Sequence, residues 1–141
     1  MAKRKTTYEE VKILTLYKMY KLQMEVNLSQ LKLLQESKKY VTNLLDRKKM
    51  DTIALQISEL EKYQAKVMEL YKELAAAIYK FTYTELSTAS FRIVLVEYLM
   101  KDKSLKYISK RFGLSEDTIL HYSSDIKKKL LKINVSPYLL V

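Results

Sequence analysis

Apolar residues recur along the first third of the chain at Ile13, Tyr17, Tyr20, Met24, Leu31, Leu34, Val41 and Leu45. Steps of three, four and seven return to one side of an α-helix, so the pattern predicts a single helix from Tyr8 to about Leu45. Neither Gly nor Pro interrupts it. Thr6 or Thr7 would cap its start, with Glu9 and Glu10 in the electropositive first turn. The polar run from Asp46 to Asp51 predicts a bend, with Asp51 as the expected N-cap of the next helix.

From Ile53 the spacing tightens into heptads. Ile53, Leu60, Val67, Leu74 and Phe81 recur every seven residues, and Ile57, Gln64, Tyr71 and Ile78 fall between them. This is an a/d seam sustained for about four heptads, with Gln64 its polar interruption. A helix of about 30 residues is about 45 Å long, too long to bury its seam on a small neighbouring domain. The seam needs a partner helix. The first helix could fold back as an antiparallel hairpin, or a second copy of the chain could supply the partner, and the pattern admits both. Tyr17, Tyr20 and Tyr71 lie on these apolar faces, which favours packing over base stacking as their role.

Thr82 to Glu85 is the next weak point. A third helix is expected from about Thr88 to Met100, with Phe91, Val94, Leu95 and Tyr98 facing inward. Lys101-Asp102-Lys103 then leads into Leu105 to Tyr122, which holds the only Gly of the chain. A helix-turn-helix needs a residue with φ > 0 directly after its first helix, and Gly113 supplies it without strain. The other positions follow from that one. Ser104 caps the first helix, Ile108 and Phe112 are its buried side, and Ser109 is small where the helices meet. Leu114 plugs the turn, Ser115 caps the second helix, and Ile119 and Tyr122 bury it. Glu116 and Asp117 occupy the first turn, where the helix dipole favours negative charge. Pro137 ends the last helix at or before Ser136.

The expected fold class is therefore all-α: a long antiparallel, coiled-coil-like hairpin over residues 1–85, a helix-turn-helix domain of three to four helices over 86–134, and an apolar tail over 135–141.

Composition narrows the function. One Gly and one Pro exclude turn-rich β folds, phosphate loops and dinucleotide fingerprints. With no Cys and a single His, no disulfide framework and no Cys/His metal site is expected. No catalytic constellation is visible, so no catalytic residue and no cofactor is assigned. No apolar run approaches the roughly 20 residues of a membrane span, and the basic start Lys3-Arg4-Lys5 does not lead into a signal core. A cytoplasmic protein without a membrane partner is the expectation. The formal charge of +10, concentrated in the first 49 and last 56 residues, points instead to a polyanion.

The segment from Leu86 to Leu130 resembles region four of bacterial sigma factors and the related helix-turn-helix of LuxR-type response regulators. The resemblance rests on Leu86, Ile93-Val94, Tyr98-Leu99, Ile108-Ser109, Arg111-Phe112-Gly113-Leu114-Ser115, Asp117-Thr118-Ile119 and Ser124 to Leu130. Three departures stand out. A Gly usual before the motif is replaced by Lys101-Asp102-Lys103, Ser109 stands for Ala, and Tyr122 for an aliphatic residue. The whole arrangement, a basic helical N-terminus before such a motif, also resembles late-transcription regulators of phages of low-GC Gram-positive bacteria, the ArpU and RinA groups.

The resemblance implies that the helix starting at Glu116 enters the major groove of duplex DNA. Candidates for base edges are then Ser115, Glu116, Asp117, Leu120, His121 and Ser124. A carboxylate can accept from cytosine, His121 can donate to guanine and Leu120 can touch a thymine methyl, whereas no Arg is present for the strongest guanine contact. Glu116 and Asp117 could equally serve only the helix terminus. Candidates for phosphates are Lys103, Lys106, Lys110, Arg111, Thr118, Lys127 and Lys128. The implied function is sequence-specific transcription regulation by a homodimer or higher oligomer, with RNA polymerase as a further partner. The competing readings are a DNA-packaging adaptor of the small-terminase kind and a helical protein-interaction module.

Overall fold

A computed structural model describes residues 11–85 and 88–140 of the chain. The expected caps Thr6 and Thr7, the acidic Glu9 and Glu10, the basic cluster at residues 3–5 and Leu86 lie outside the described residues. Among those described, every regular element is helical: α1 (Lys12–Asn43), α2 (Arg47–Glu85), α3 (Ala89–Ile93) running on into a π-helical stretch (Val94–Met100), α4 (Leu105–Phe112), α5 (Glu116–Leu130) and a 3₁₀ turn (Ser136–Tyr138). The all-α class is as expected. The two long helices pack antiparallel against each other, so the seam of α2 finds its partner within the chain.

The bend falls earlier than its polar composition suggests. Leu45, expected on the apolar side of α1, instead takes φ 55° and is 82 % exposed. Asp46 rather than Asp51 starts α2, its carboxylate accepting from the Lys49 amide at 3.2 Å. Residues 47–50 are good helix formers, so once Asp46 satisfies an orphan amide nothing delays the helix until Asp51. The weak point at Thr82 to Glu85 remains helical. Thr82 and Thr84 turn their hydroxyls back onto the carbonyls of Ile78 and Lys80, both at 3.0 Å, which keeps these polar groups satisfied without leaving the helix.

The described residues form two compact units. One consists of residues 19–72 together with Leu140 and holds the bend between α1 and α2. Its core is thin: Ile53, Ile57, Leu60, Tyr71, Met24, Leu31 and Leu34 are half-buried, while Tyr20, Val41, Val67 and Gln64 are buried. At its centre lies a polar layer. Asn27, only 1 % exposed, donates to Gln64 at 2.7 Å and accepts from Gln23 at 2.9 Å, and Gln64 donates to the Met24 carbonyl at 3.2 Å. Asn27 completes the 3–4 spacing of α1 between Met24 and Leu31, a seam position that the apolar pattern passes over. Burial pushes the Tyr20 phenol above its ordinary pKa, opposed by a hydrogen bond from the Leu140 backbone.

The other unit consists of residues 11–18 and 73–139. Leu74, Ile78 and Phe81 of α2 are buried in it, as are Val11, directly before α1, and Ile13, Leu14, Leu16 and Tyr17 of α1. Val94, Leu95, Ile108, Ile119, Ile126 and Leu130 complete the core, all at 0 or 1 % exposure. Each such side chain is worth roughly 1.5–3 kcal/mol of burial. The third helix departs from expectation in its winding. Its N-cap Thr88 accepts from Phe91 as a cap should, but from Val94 the turns widen, and the Lys101 amide bonds the Val96 carbonyl five residues back at 2.9 Å. The wider turn rotates the following residues, so Leu99 and Met100 are buried where Tyr98, expected to face inward, is only half-buried. The tail runs past Lys12 and Ile13 of α1, with Ser136 held by the Asn134 side chain at 3.1 Å.

Candidate nucleic-acid interface

The helix-turn-helix is built from local chemistry that can be followed residue by residue. Ser104 takes an extended backbone and its hydroxyl accepts from the Tyr107 amide at 3.1 Å, starting α4. After the eight residues of this helix Gly113 ends it at φ 71°, ψ 23°, with its N–H on the Ser109 carbonyl at 3.0 Å. A Cβ added at Gly113 would meet nothing within 4 Å, so glycine is required there by backbone conformation and not by space. Ser115 restarts the chain as a helix, accepting from the Thr118 amide at 3.1 Å. Both acidic residues of the first turn of α5, Glu116 and Asp117, lie at its positive end, and the three lysines Lys127, Lys128 and Lys129 lie in its last turn.

Four residues of α5 are buried: Ile119, Ser123, Ile126 and Leu130. Their steps of four, three and four define the inner side, and the opposite side carries Asp117, His121, Ser124 and Lys128 with the same steps. All six base-edge candidates, Ser115, Glu116, Asp117, Leu120, His121 and Ser124, are exposed, Leu120 at 46 %. Two have prior engagements. Besides capping, the Ser115 hydroxyl donates to the Thr118 hydroxyl at 2.6 Å, which leaves Thr118 its own proton and Ser115 none. His121 Nε2 stands 3.5 Å from the Asp125 carboxylate, one turn further along.

The phosphate candidates Lys103, Lys106, Lys110, Arg111, Lys127 and Lys128 are all exposed, and Thr118 is half-buried. Lys106 and Lys110 are one turn apart on α4, directly before the turn that sets α5 in place. Lys103 rests 5.5 Å from the centre of the Tyr107 ring, held by its π face. One basic residue was not visible from the sequence. Lys18 of α1 lines a surface cleft with Tyr98, Lys103 and Lys127, and its ammonium contacts the Asp102 carboxylate at 2.6 Å. With the two partners 84 positions apart in the sequence, no local pattern could have signalled it.

Each departure from the resembled pattern has a structural counterpart. Asp102, in the segment where a Gly is usual, adopts φ 56°, the left-handed conformation a glycine would take. Tyr122 stacks on Phe91 of α3 with ring centroids 4.2 Å apart, so its added bulk is absorbed by a ring. Ser109 is half-buried, and its carbonyl accepts from the Gly113 amide. Ser123 is a core position of α5 that sequence reasoning missed, because a polar residue on the inner stripe breaks the apolar pattern.

Among the described residues, no helix is long and apolar enough to cross a membrane. In comparisons with known proteins, the chain matches no family model, no curated protein and no solved structure.

Proposed function

We propose that the chain is a sequence-specific double-stranded DNA-binding regulator of transcription, with α5 entering the major groove. The observation that carries the reading is the sorting of α5: one side buried to 0–3 % at four positions, the opposite side open and polar, with exposed cations before the turn and in the last turn. A helix seated this way offers its first two turns to base edges, while Lys106, Lys110, Lys127 and Lys128 flank it where the sugar–phosphate strands run. Its carboxylates lie at the end that would face bases, and an acid there accepts from the amino group of cytosine. Without Arg on this side, affinity leans on phosphate contacts, and binding should be steeply salt-dependent. RNA polymerase remains a proposed second partner, for which no residue is assigned.

The test is a duplex titration at several salt concentrations with Lys127→Glu/Lys128→Glu. Two lost phosphate contacts should lower the slope of log affinity against log salt by about 2. An affinity and slope equal to those of the unsubstituted chain would remove α5 from the reading.

A further inference from the structure

Because the seam of α2 is used inside the hairpin, any self-association must use another surface, and α1 carries one. Leu22, Val26, Leu33 and Tyr40 of α1 and Leu44 in the turn directly after it are all exposed, Leu33 at 64 % and Tyr40 at 66 %. With the exposed Ser29 and Ser37 they form a run whose steps are four, three, four, four, three and four. At about 100° per residue these seven positions share an arc of roughly 80°, centred about 140° from the side that holds Tyr20, Asn27 and Leu31. So α1 has two apolar stripes, and the second is unpartnered.

That second stripe reads alike in both directions from Leu33. Serines stand four residues away on either side, Val26 and Tyr40 seven away, Leu22 and Leu44 eleven away. A two-fold interface must be self-complementary, and an antiparallel pairing centred on Leu33 satisfies this position by position. Leu33 would meet the partner's Leu33, Val26 the partner's Tyr40, and Leu22 the partner's Leu44. The eleven-residue spacing is close to the natural helical repeat, so two such helices can lie together with little supercoiling. Charge agrees with the same axis. Glu25, Lys32, Glu36 and Lys39 follow one flank of the stripe, all exposed. Reversal about Leu33 lays this flank along the same flank of the partner and sets Glu25 within about one turn of the partner's Lys39 and Lys32 within about one turn of the partner's Glu36, opposite in sign at both places, whereas parallel pairing would bring the partner's other flank against it.

We infer that the outer stripe of α1 is a homodimer interface, antiparallel and centred on Leu33. The inference goes beyond the duplex reading and does not depend on it. Since the chain has no cysteine, single introduced thiols report on the axis. Under mild oxidation Leu33→Cys should give a covalent dimer, Val26→Cys alone should not, and a mixture of Val26→Cys with Tyr40→Cys should give the mixed dimer. Sedimentation of the full-length chain should show a dimer that falls twofold in mass with Leu33→Glu, at unchanged helical ellipticity, because Leu33 is exposed in the single chain. A monomeric unsubstituted chain, a ring of many copies, an unchanged mass for Leu33→Glu, or Val26→Cys cross-linking as readily as Leu33→Cys would each overturn it. No duplex enters these measurements, so their failure would leave the DNA reading standing, and failure of the salt titration would leave the dimer standing.

Discussion

The polar layer in the hairpin makes a quantitative claim about why α1 and α2 meet in one register. Asn27 and Gln64 are 1 and 6 % exposed, and each satisfies the other. Sliding α2 by one heptad would set Asn27 against Ile57 or Tyr71 and strand both amides in an apolar seam. At about 1–3 kcal/mol for each unpaired buried group, the shifted hairpin is several kcal/mol less stable. The perturbation that isolates this effect is the cycle Asn27→Leu, Gln64→Leu and the double variant. Either single change leaves a buried amide group without its partner, while the double leaves none at that contact. The gain from burying each leucine cancels in the cycle. The double variant should therefore be more stable than the sum of the singles by about 2 kcal/mol, as judged by urea unfolding followed at the helical ellipticity. Additivity within about 0.5 kcal/mol would refute the reasoning, since it would mean that neither amide depends on the other. The double variant should also lose register discrimination, visible as extra amide resonances for residues near the layer.

Three further outcomes follow from the helix-turn-helix and its surroundings. Gly113→Ala adds no clash but forces a side chain into the left-handed region, so unfolding should show a loss of about 1–2 kcal/mol; an unchanged stability would mean that the turn relaxes to another conformation. Asp102→Gly relieves similar backbone strain at φ 56° but removes an exposed ion pair with Lys18 worth about 0–1 kcal/mol, so the net change should stay within about 1 kcal/mol. A loss above about 2 kcal/mol in the same assay would show that the pair does more than a surface contact can. Tyr122→Leu removes the stack on Phe91 and should cost about 0.5–1.5 kcal/mol beyond lost area, with a parallel fall in near-ultraviolet ellipticity; a stability gain would mean that the ring is strained where it stands.

The parts of this protein that sequence revealed are those governed by neighbours along the chain. Ser104, Gly113 and Ser115 each answer a requirement set within four residues, two amides needing an acceptor and one backbone needing a positive φ, so their roles could be read directly. The heptads of α2 were legible for the same reason, but whether they paired within the chain was not, because periodicity describes a surface and not its occupant. Asn27 escaped notice because a polar residue in a seam is recognised only once Gln64 is seen opposite it. Leu99 and Met100 escaped because an unbroken apolar run offers no phase from which to detect a wider turn. Lys18 escaped because its place beside Lys103 and Lys127 is made by the fold. At α5, exposure of the six polar-side positions could be anticipated from the inner stripe, whereas the double use of the Ser115 hydroxyl and the closeness of His121 to Asp125 are matters of rotamer.

The π-helical stretch from Val94 to Met100 holds more chain per turn than an α-helix of the same height. Shortening the protein by one residue there would let the winding tighten while both ends kept their phase, so that stretch can absorb a deletion. The same deletion between Leu105 and Phe112 has no slack to draw on: it would swing every later side chain by about 100° and turn Ile108 or Phe112 toward water. Tolerance to length change along this chain is thus set by where its winding is already loose.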